Sequence, residues 1–123
     1  MAGKKAVLVI DDEPSVADAL KLILSDSGYS VGVAMTGGEG IERLGDRRFD
    51  LVITDLRLPD MSGLDVLRYL RRSQPEVLAI VITAYHTPDL AAESLGLGAL
   101  AVLPKPFSPS DVLTLINTAF SNL

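Results

Sequence analysis

The chain has 123 residues, 48 % of them hydrophobic, enough for one domain around one core and too few for two ordinary domains. Cysteine is absent and His86 is the single histidine, which excludes disulfide frameworks, thiolate sites and histidine-rich metal sites. Sixteen acids against eleven bases leave a net charge of -5, and the bases form only pairs such as Arg47–Arg48, so direct nucleic-acid binding is not expected.

Ala6-Val7-Leu8-Val9-Ile10 is a continuous apolar run ended by acids, the pattern of a strand buried on both faces. Pro14 suits a first helical turn, and Val16, Ala19, Leu20, Ile23 and Leu24 recur at helical spacing until Gly28. Residues 29–34 read as a second strand. Thr36 and Glu39 form a capping box for a short helix carrying Ile41 and Leu44. Residues 51–54 make the third strand, which ends at Asp55. A loop with Pro59 and Gly63 leads to a helix with Leu64, Leu67 and Leu70 on one face. Residues 77–82 form the fourth strand, ending at Thr83. Thr87 and Pro88 open a helix that fades near Gly96 and Gly98, and residues 99–103 make a weaker fifth strand. The last helix has Ser108 as N-cap, Pro109 in the first turn, Asp111 as the reciprocal box residue and a Phe107–Val112 staple.

Regular alternation of strand and helix predicts an α/β fold with parallel strands, right-handed crossovers and helices on both faces. In such sheets ligands bind beyond the carboxyl ends of the strands. Asp11 and Asp12 follow the first strand, Asp55 the third, Thr83 the fourth and Lys105 the fifth, so topology gathers residues that are distant in sequence. Three converging carboxylates call for a cation, and Mg²⁺, a hard ion that keeps exchangeable waters, suits them. Lys105 adds positive charge and Thr83 a hydroxyl donor. Together they form an electrostatic trap for a phosphoryl group with a carboxylate nucleophile inside it.

With those residues in place, the chain from about Val7 to Phe120 resembles the receiver domains of two-component response regulators. Residues 7–13 resemble the family's opening strand and acidic pair, and residues 55–63 its phosphoacceptor segment. Thr83-Ala84 resembles its hydroxyl and small-residue pair, and Lys105-Pro106-Phe107 its lysine motif. Four such motifs in order are specific.

The resemblance implies a flavodoxin-like, doubly wound, five-stranded parallel sheet of order 2-1-3-4-5, with residues 1–123 as a single receiver domain. It implies that Asp55 accepts a phosphoryl group from the phosphohistidine of a sensor histidine kinase or phosphotransfer protein, signals by a conformational change and slowly dephosphorylates itself. Asp12, Asp55 and the carbonyl of Arg57 would bind Mg²⁺ directly, and Asp11 largely through water. Thr83 and Lys105 would contact phosphoryl oxygens, with Ala84 as the small residue beside the bound group. A cis Lys105-Pro106 bond is also implied. The chain reads as cytoplasmic and not membrane-bound, with no apolar run near the roughly 20 residues that cross a bilayer. It is either free-standing or a fragment lacking an effector domain, and phosphorylation would drive pairing with a second copy or a partner.

One position departs from the family pattern: Val102 stands where an aromatic residue is usual. The resulting expectation is that the loop and helix at 84–97 shift instead of a ring, with Leu90, Leu95 and Leu97 as candidate signalling residues and Tyr85 as a gate on the site's rim. Val102 also supports an alternative, a phosphorylation-independent interaction module. A Mg²⁺-dependent phosphohydrolase with an aspartate nucleophile is disfavoured, because Asp11-Asp12-Glu13 lacks the spacing of its motif and no insert exists to close over a substrate.

Overall fold

The computed structural model describes residues 3–121. Five strands and five helices alternate: β1 (Ala6–Ile10), α1 (Pro14–Asp26), β2 (Ser30–Ala34), α2 (Gly37–Asp46), β3 (Leu51–Asp55), α3 (Gly63–Ser73), β4 (Leu78–Thr83), α4 (Pro88–Gly96), β5 (Ala101–Pro104) and α5 (Pro109–Ser121). The strands form one parallel sheet of order β2-β1-β3-β4-β5, as the family resemblance implied. The order reverses beside β1, and the crevice at the carboxyl ends of β1 and β3 opens there.

Burial explains the apolar runs. Leu8 and Ile10 of β1 join Leu44 of α2 and Leu64, Leu67 and Leu70 of α3 in one core layer. Val7 and Val9 turn to the opposite layer with Leu20 and Leu24 of α1 and Val112 and Ile116 of α5. A strand covered on both faces has no solvent side to make polar, hence its unbroken hydrophobicity.

The element ends differ from the sequence reading in instructive ways. Residue 29 leaves the second strand because the Tyr29 N–H donates to the Leu24 carbonyl and closes α1, while Gly28 takes a φ of +95°. Val77 is held in a turn on Gln74, so β4 starts at Leu78 and runs through Thr83. Ala99 donates to the Ser94 carbonyl and Gly98 has a φ of +101°, so both belong to the exit of α4, and β5 begins at Ala101.

Caps follow the same pattern of partial agreement. Thr36 Oγ1 accepts from the Glu39 N–H at 3.0 Å, but the Glu39 carboxylate reaches past the N-cap to the Met35 N–H at 2.6 Å. Ser108 and Asp111 exchange both expected bonds, at 3.1 and 3.2 Å. The reciprocal box between Ser62 and Asp65 at the start of α3 was not read from the sequence. The Lys105–Pro106 peptide is cis.

Candidate functional site

Asp11 and Asp12 follow β1, Asp55 ends β3, Thr83 ends β4 and Lys105 lies just past β5. In-register parallel pairing therefore brings all of them to one edge of the sheet. Asp11, Asp12 and Asp55 each offer a carboxylate oxygen within 4.8 Å of the others. Asp11 is fully buried, Asp55 nearly so, and Asp12 is exposed.

Lys105 is the counter-ion of this cluster. Its Nζ lies 2.9 Å from Asp11 Oδ2, 3.0 Å from Asp55 Oδ2 and 2.8 Å from Glu13 Oε1. Burial works against the ammonium, yet the surrounding carboxylates of Glu13, Asp11 and Asp55 win, and its pKa is pushed above the ordinary lysine value. Lys105 is thus charged at any physiological pH.

Asp11 moves the other way. Burial raises its pKa above the usual carboxylate value, against the Glu13 N–H bonded to Oδ1 at 2.9 Å and the pull of Lys105. The nearby Asp55 carboxylate raises it further. Oδ2 of Asp11 accepts no hydrogen bond, because the lysine contact at 2.9 Å is a charge contact away from hydrogen-bonding geometry. A buried carboxylate oxygen without a donor, in a set of three hard oxygen ligands, fits a divalent cation.

Asp55 is positioned from both sides. Its Oδ2 meets Lys105, and its Oδ1 receives a long 3.3 Å bond from the Arg57 N–H, which leaves that oxygen weakly held. Gly63 fixes the loop that follows: its N–H donates to the Leu56 carbonyl at 2.8 Å, and a Cβ there would lie 2.2 Å from the Asp55 carbonyl oxygen. Only glycine allows this approach, so Gly63 is more than a turn former. The Asp60 carboxylate bridges the N–H groups of Gly37 and Gly38, each at 2.9 Å, and pins the same loop to the first turn of α2. Those backbone bonds lower the Asp60 pKa.

Thr83 is fully buried, and its Oγ1 accepts from the Tyr85 N–H at 2.9 Å, which leaves the hydroxyl proton free to donate elsewhere. Ala84 beside it is exposed. The guanidinium of Arg57 stacks 3.6 Å from the centroid of the Tyr85 ring, so the two rim residues touch across the site. Val102 pairs with Val81 in the sheet and packs, half-buried, in the same layer as Leu90 and Leu97. Of the three leucines proposed as signalling residues, only Leu95 is strongly exposed, at 50 %.

Glu13 was missed as a site residue, although it belongs to the opening motif. Its signal was available in principle: glutamate is an unusual N-cap, and Glu13 occupies the N-cap of α1 without capping it.

The model of the response regulator receiver domain family matches residues 7–117. The chain is 38 % identical over 110 residues to the transcriptional regulatory protein DltR of Streptococcus agalactiae, covering 89 % of this chain and 49 % of that protein. It therefore spans about half the length of the curated relative it matches there, and 26 % of another, the response regulator PilR of Pseudomonas aeruginosa. A CheY-like receiver domain protein from Methanospirillum hungatei superposes with a TM-score of 0.94 at 33 % identity, covering 98 % of this chain and 96 % of that one. The beryllofluoride-activated NtrC4 receiver domain dimer gives 0.91 at 32 % identity, with 95 % and 97 % covered.

Proposed function

The chain belongs to the family of response regulator receiver domains, and on that premise we propose that Asp55 is the residue through which it serves a phosphorelay. A carboxylate oxygen of Asp55 attacks the phosphorus of a phosphohistidine. The P–N bond breaks, its electron pair returns to the imidazole nitrogen, and an acyl phosphate remains on Asp55. Lys105 and Thr83 hold the phosphoryl oxygens, and Ala84 leaves room beside them. Hydrolysis of the acyl phosphate later restores the carboxylate.

Asp12, Asp55 and the Arg57 carbonyl, with Asp11 acting largely through water, would hold the divalent cation, for which Mg²⁺ is the natural choice. When bound, Mg²⁺ supplies charge neutralisation, which lets an anionic phosphoryl group approach an anionic nucleophile. The observation that carries this reading is the single cluster of Asp11, Asp12, Asp55 and Lys105 at the sheet's switch point. Residues 1–123 act in this reading as one receiver domain, joined in the whole protein to an output region or to a partner that reads its state. The partner upstream is a sensor histidine kinase or phosphotransfer protein. Phosphorylation favours a homodimer, as the dimeric state of the beryllofluoride-activated NtrC4 receiver suggests by analogy. No direct contact with nucleic acid is assigned to this domain. No helix among the described residues is long and apolar enough to cross a membrane.

The test is phosphorylation by acetyl phosphate or phosphoramidate with Mg²⁺, read by intact mass. Wild type gains one base-labile phosphoryl group, and Asp55→Asn gains none. Equal labelling of the two proteins overturns the assignment. A folded wild type that takes no label from any donor supports the interaction module that Val102 leaves open.

A further inference from the structure

Glu13 has no part in the phosphotransfer just described, yet it makes the shortest of the contacts to Lys105. At an N-cap, short side chains such as Asp or Ser turn back onto the helix's own N–H groups. Glu13 makes no such bond. Its longer side chain reaches away from α1 to Lys105 Nζ at 2.8 Å, compared with 2.9 Å for Asp11 and 3.0 Å for Asp55. The Lys105 ammonium donates to Glu13 and Asp55, while the Asp11 carboxylate meets its charge outside hydrogen-bonding geometry.

These three partners are not equivalent. The side chains of Asp11 and Asp55 are 0 % and 8 % exposed and cannot leave, whereas that of Glu13 is 56 % exposed and can swing into solvent. Glu13, Lys105, Ala84 and Phe107 also line an open groove of about 450 Å³ that borders the ammonium. A group arriving on Asp55 with strong acceptor oxygens needs a donor from Lys105, and Glu13 is the partner most easily displaced.

We infer that Glu13 is a positioning residue that holds the Lys105 ammonium in the resting protein and competes with the phosphoryl group for it. This inference rests on Asp55 being the phosphoacceptor. Glu13 then sets how readily the site accepts a phosphoryl group without touching that group itself.

Beryllofluoride, which mimics a phosphoryl group on a carboxylate, tests the competition without turnover. Its binding at saturating Mg²⁺ is followed by amide NMR in wild type, Glu13→Gln and Glu13→Asp. Because the Glu13 contact is half-exposed and screened, its loss should tighten beryllofluoride binding about two- to fivefold in Glu13→Gln. Mg²⁺ alone should bind no tighter, since a nearby negative charge has been removed. A general weakening of the α1 start would instead weaken both ligands, and that result overturns the inference. Glu13→Asp keeps the charge but is one methylene too short to reach Lys105. It should therefore follow Glu13→Gln, and wild-type behaviour would show a mere field effect and overturn the hold. In the ligand-free proteins the ¹⁵N signal of the Lys105 ammonium should shift in both variants, and an unmoved signal again contradicts the hold. If wild type takes up no beryllofluoride, the phosphoacceptor reading itself fails. If wild type binds it and Glu13→Gln binds it equally, only the Glu13 assignment fails.

Discussion

β1 and β3 are buried at every residue, while β5 runs from half-buried to exposed and α4 buries only Ser94. The clustered carboxylates Asp11, Asp12 and Asp55 stand at the carboxyl ends of this pair of strands. Tyr85 and the turn into α4 lead from fully buried Thr83 to the looser side, where Leu95 and Leu100 are each 50 % exposed. The contrast suggests a division of labour. Chemistry that needs fixed geometry sits on a frame held by packing from both faces, and the response can be carried by elements with less to lose on moving.

The largest effect that would break this contrast is a core deletion. Leu20→Ala removes a fully buried side chain between α1 and the sheet and should cost about 2–5 kcal/mol in urea unfolding. Leu95→Ala, on an exposed face of α4, should stay within about 0.5 kcal/mol. Comparable losses at both positions would mean that α4 is as firmly built in as α1.

Gly63→Ala comes next. A methyl group 2.2 Å from the Asp55 carbonyl oxygen meets backbone, which cannot step aside, so a loss of about 1–3 kcal/mol is expected. The loop 56–62 should be displaced with it, and metal binding should weaken. An unchanged unfolding midpoint together with unchanged Mg²⁺ affinity would show that the acidic side is more tolerant than its packing implies.

A smaller effect concerns pH. The Asp11 pKa is raised in the folded protein, so the folded chain holds this proton more tightly than the unfolded chain does. Its contribution to stability is therefore complete below the unfolded value of 3.8 and is lost as pH rises through the folded pKa. Mg²⁺ prefers the ionised carboxylate and should offset that loss, while binding more weakly as pH falls through the same window. Urea midpoints measured against pH, with and without Mg²⁺, check this. Asp11→Asn should flatten the metal-free slope in that window, and an unaltered slope would move the effect to another group.

Much of this molecule was legible in the sequence because its strong signals are local. An apolar run such as 6–10 has one economical use, and the Ser108–Asp111 box is a short-range hydrogen-bond pattern that needs no tertiary help. Placement of Asp11, Asp12, Asp55, Thr83 and Lys105 at one sheet edge followed from their common position after strands. Strand order did not follow from patterning, which fixes what is buried but not which strand lies beside which, and it came from family likeness. The strand starts at Ser30, Leu78 and Ala101 were misplaced by one or two residues because apolar residues at 29, 77 and 99 serve helix exits or turns. Glu13 and Asp60 escaped notice as site residues for a related reason. Their partners, Lys105 and the Gly37–Gly38 backbone, lie far away in the chain, and the one local sign, glutamate at the N-cap of α1, says nothing of which partner it meets.

On the proposed function, a phosphoryl group held at the rigid acidic edge is answered by movement on the looser side. With Val102 too small and too stiff to swing as a ring does, the movement is expected in the 84–97 segment itself. Leu90, Leu97 and Val102 pack against the same core layer, so a shift of the segment would alter that layer and re-aim exposed Leu95. Differential stabilisation of about 1.4 kcal/mol would change a small active fraction roughly tenfold. Amide NMR with Mg²⁺, before and after beryllofluoride, measures this directly in wild type and Val102→Tyr. Large shifts in wild type at residues 11–12, 55–57 and 83–84 that continue through 84–97 are the predicted result. Changes confined to residues touching Asp55 would contradict it, and propagation seen only in Val102→Tyr would locate the failure in the missing ring.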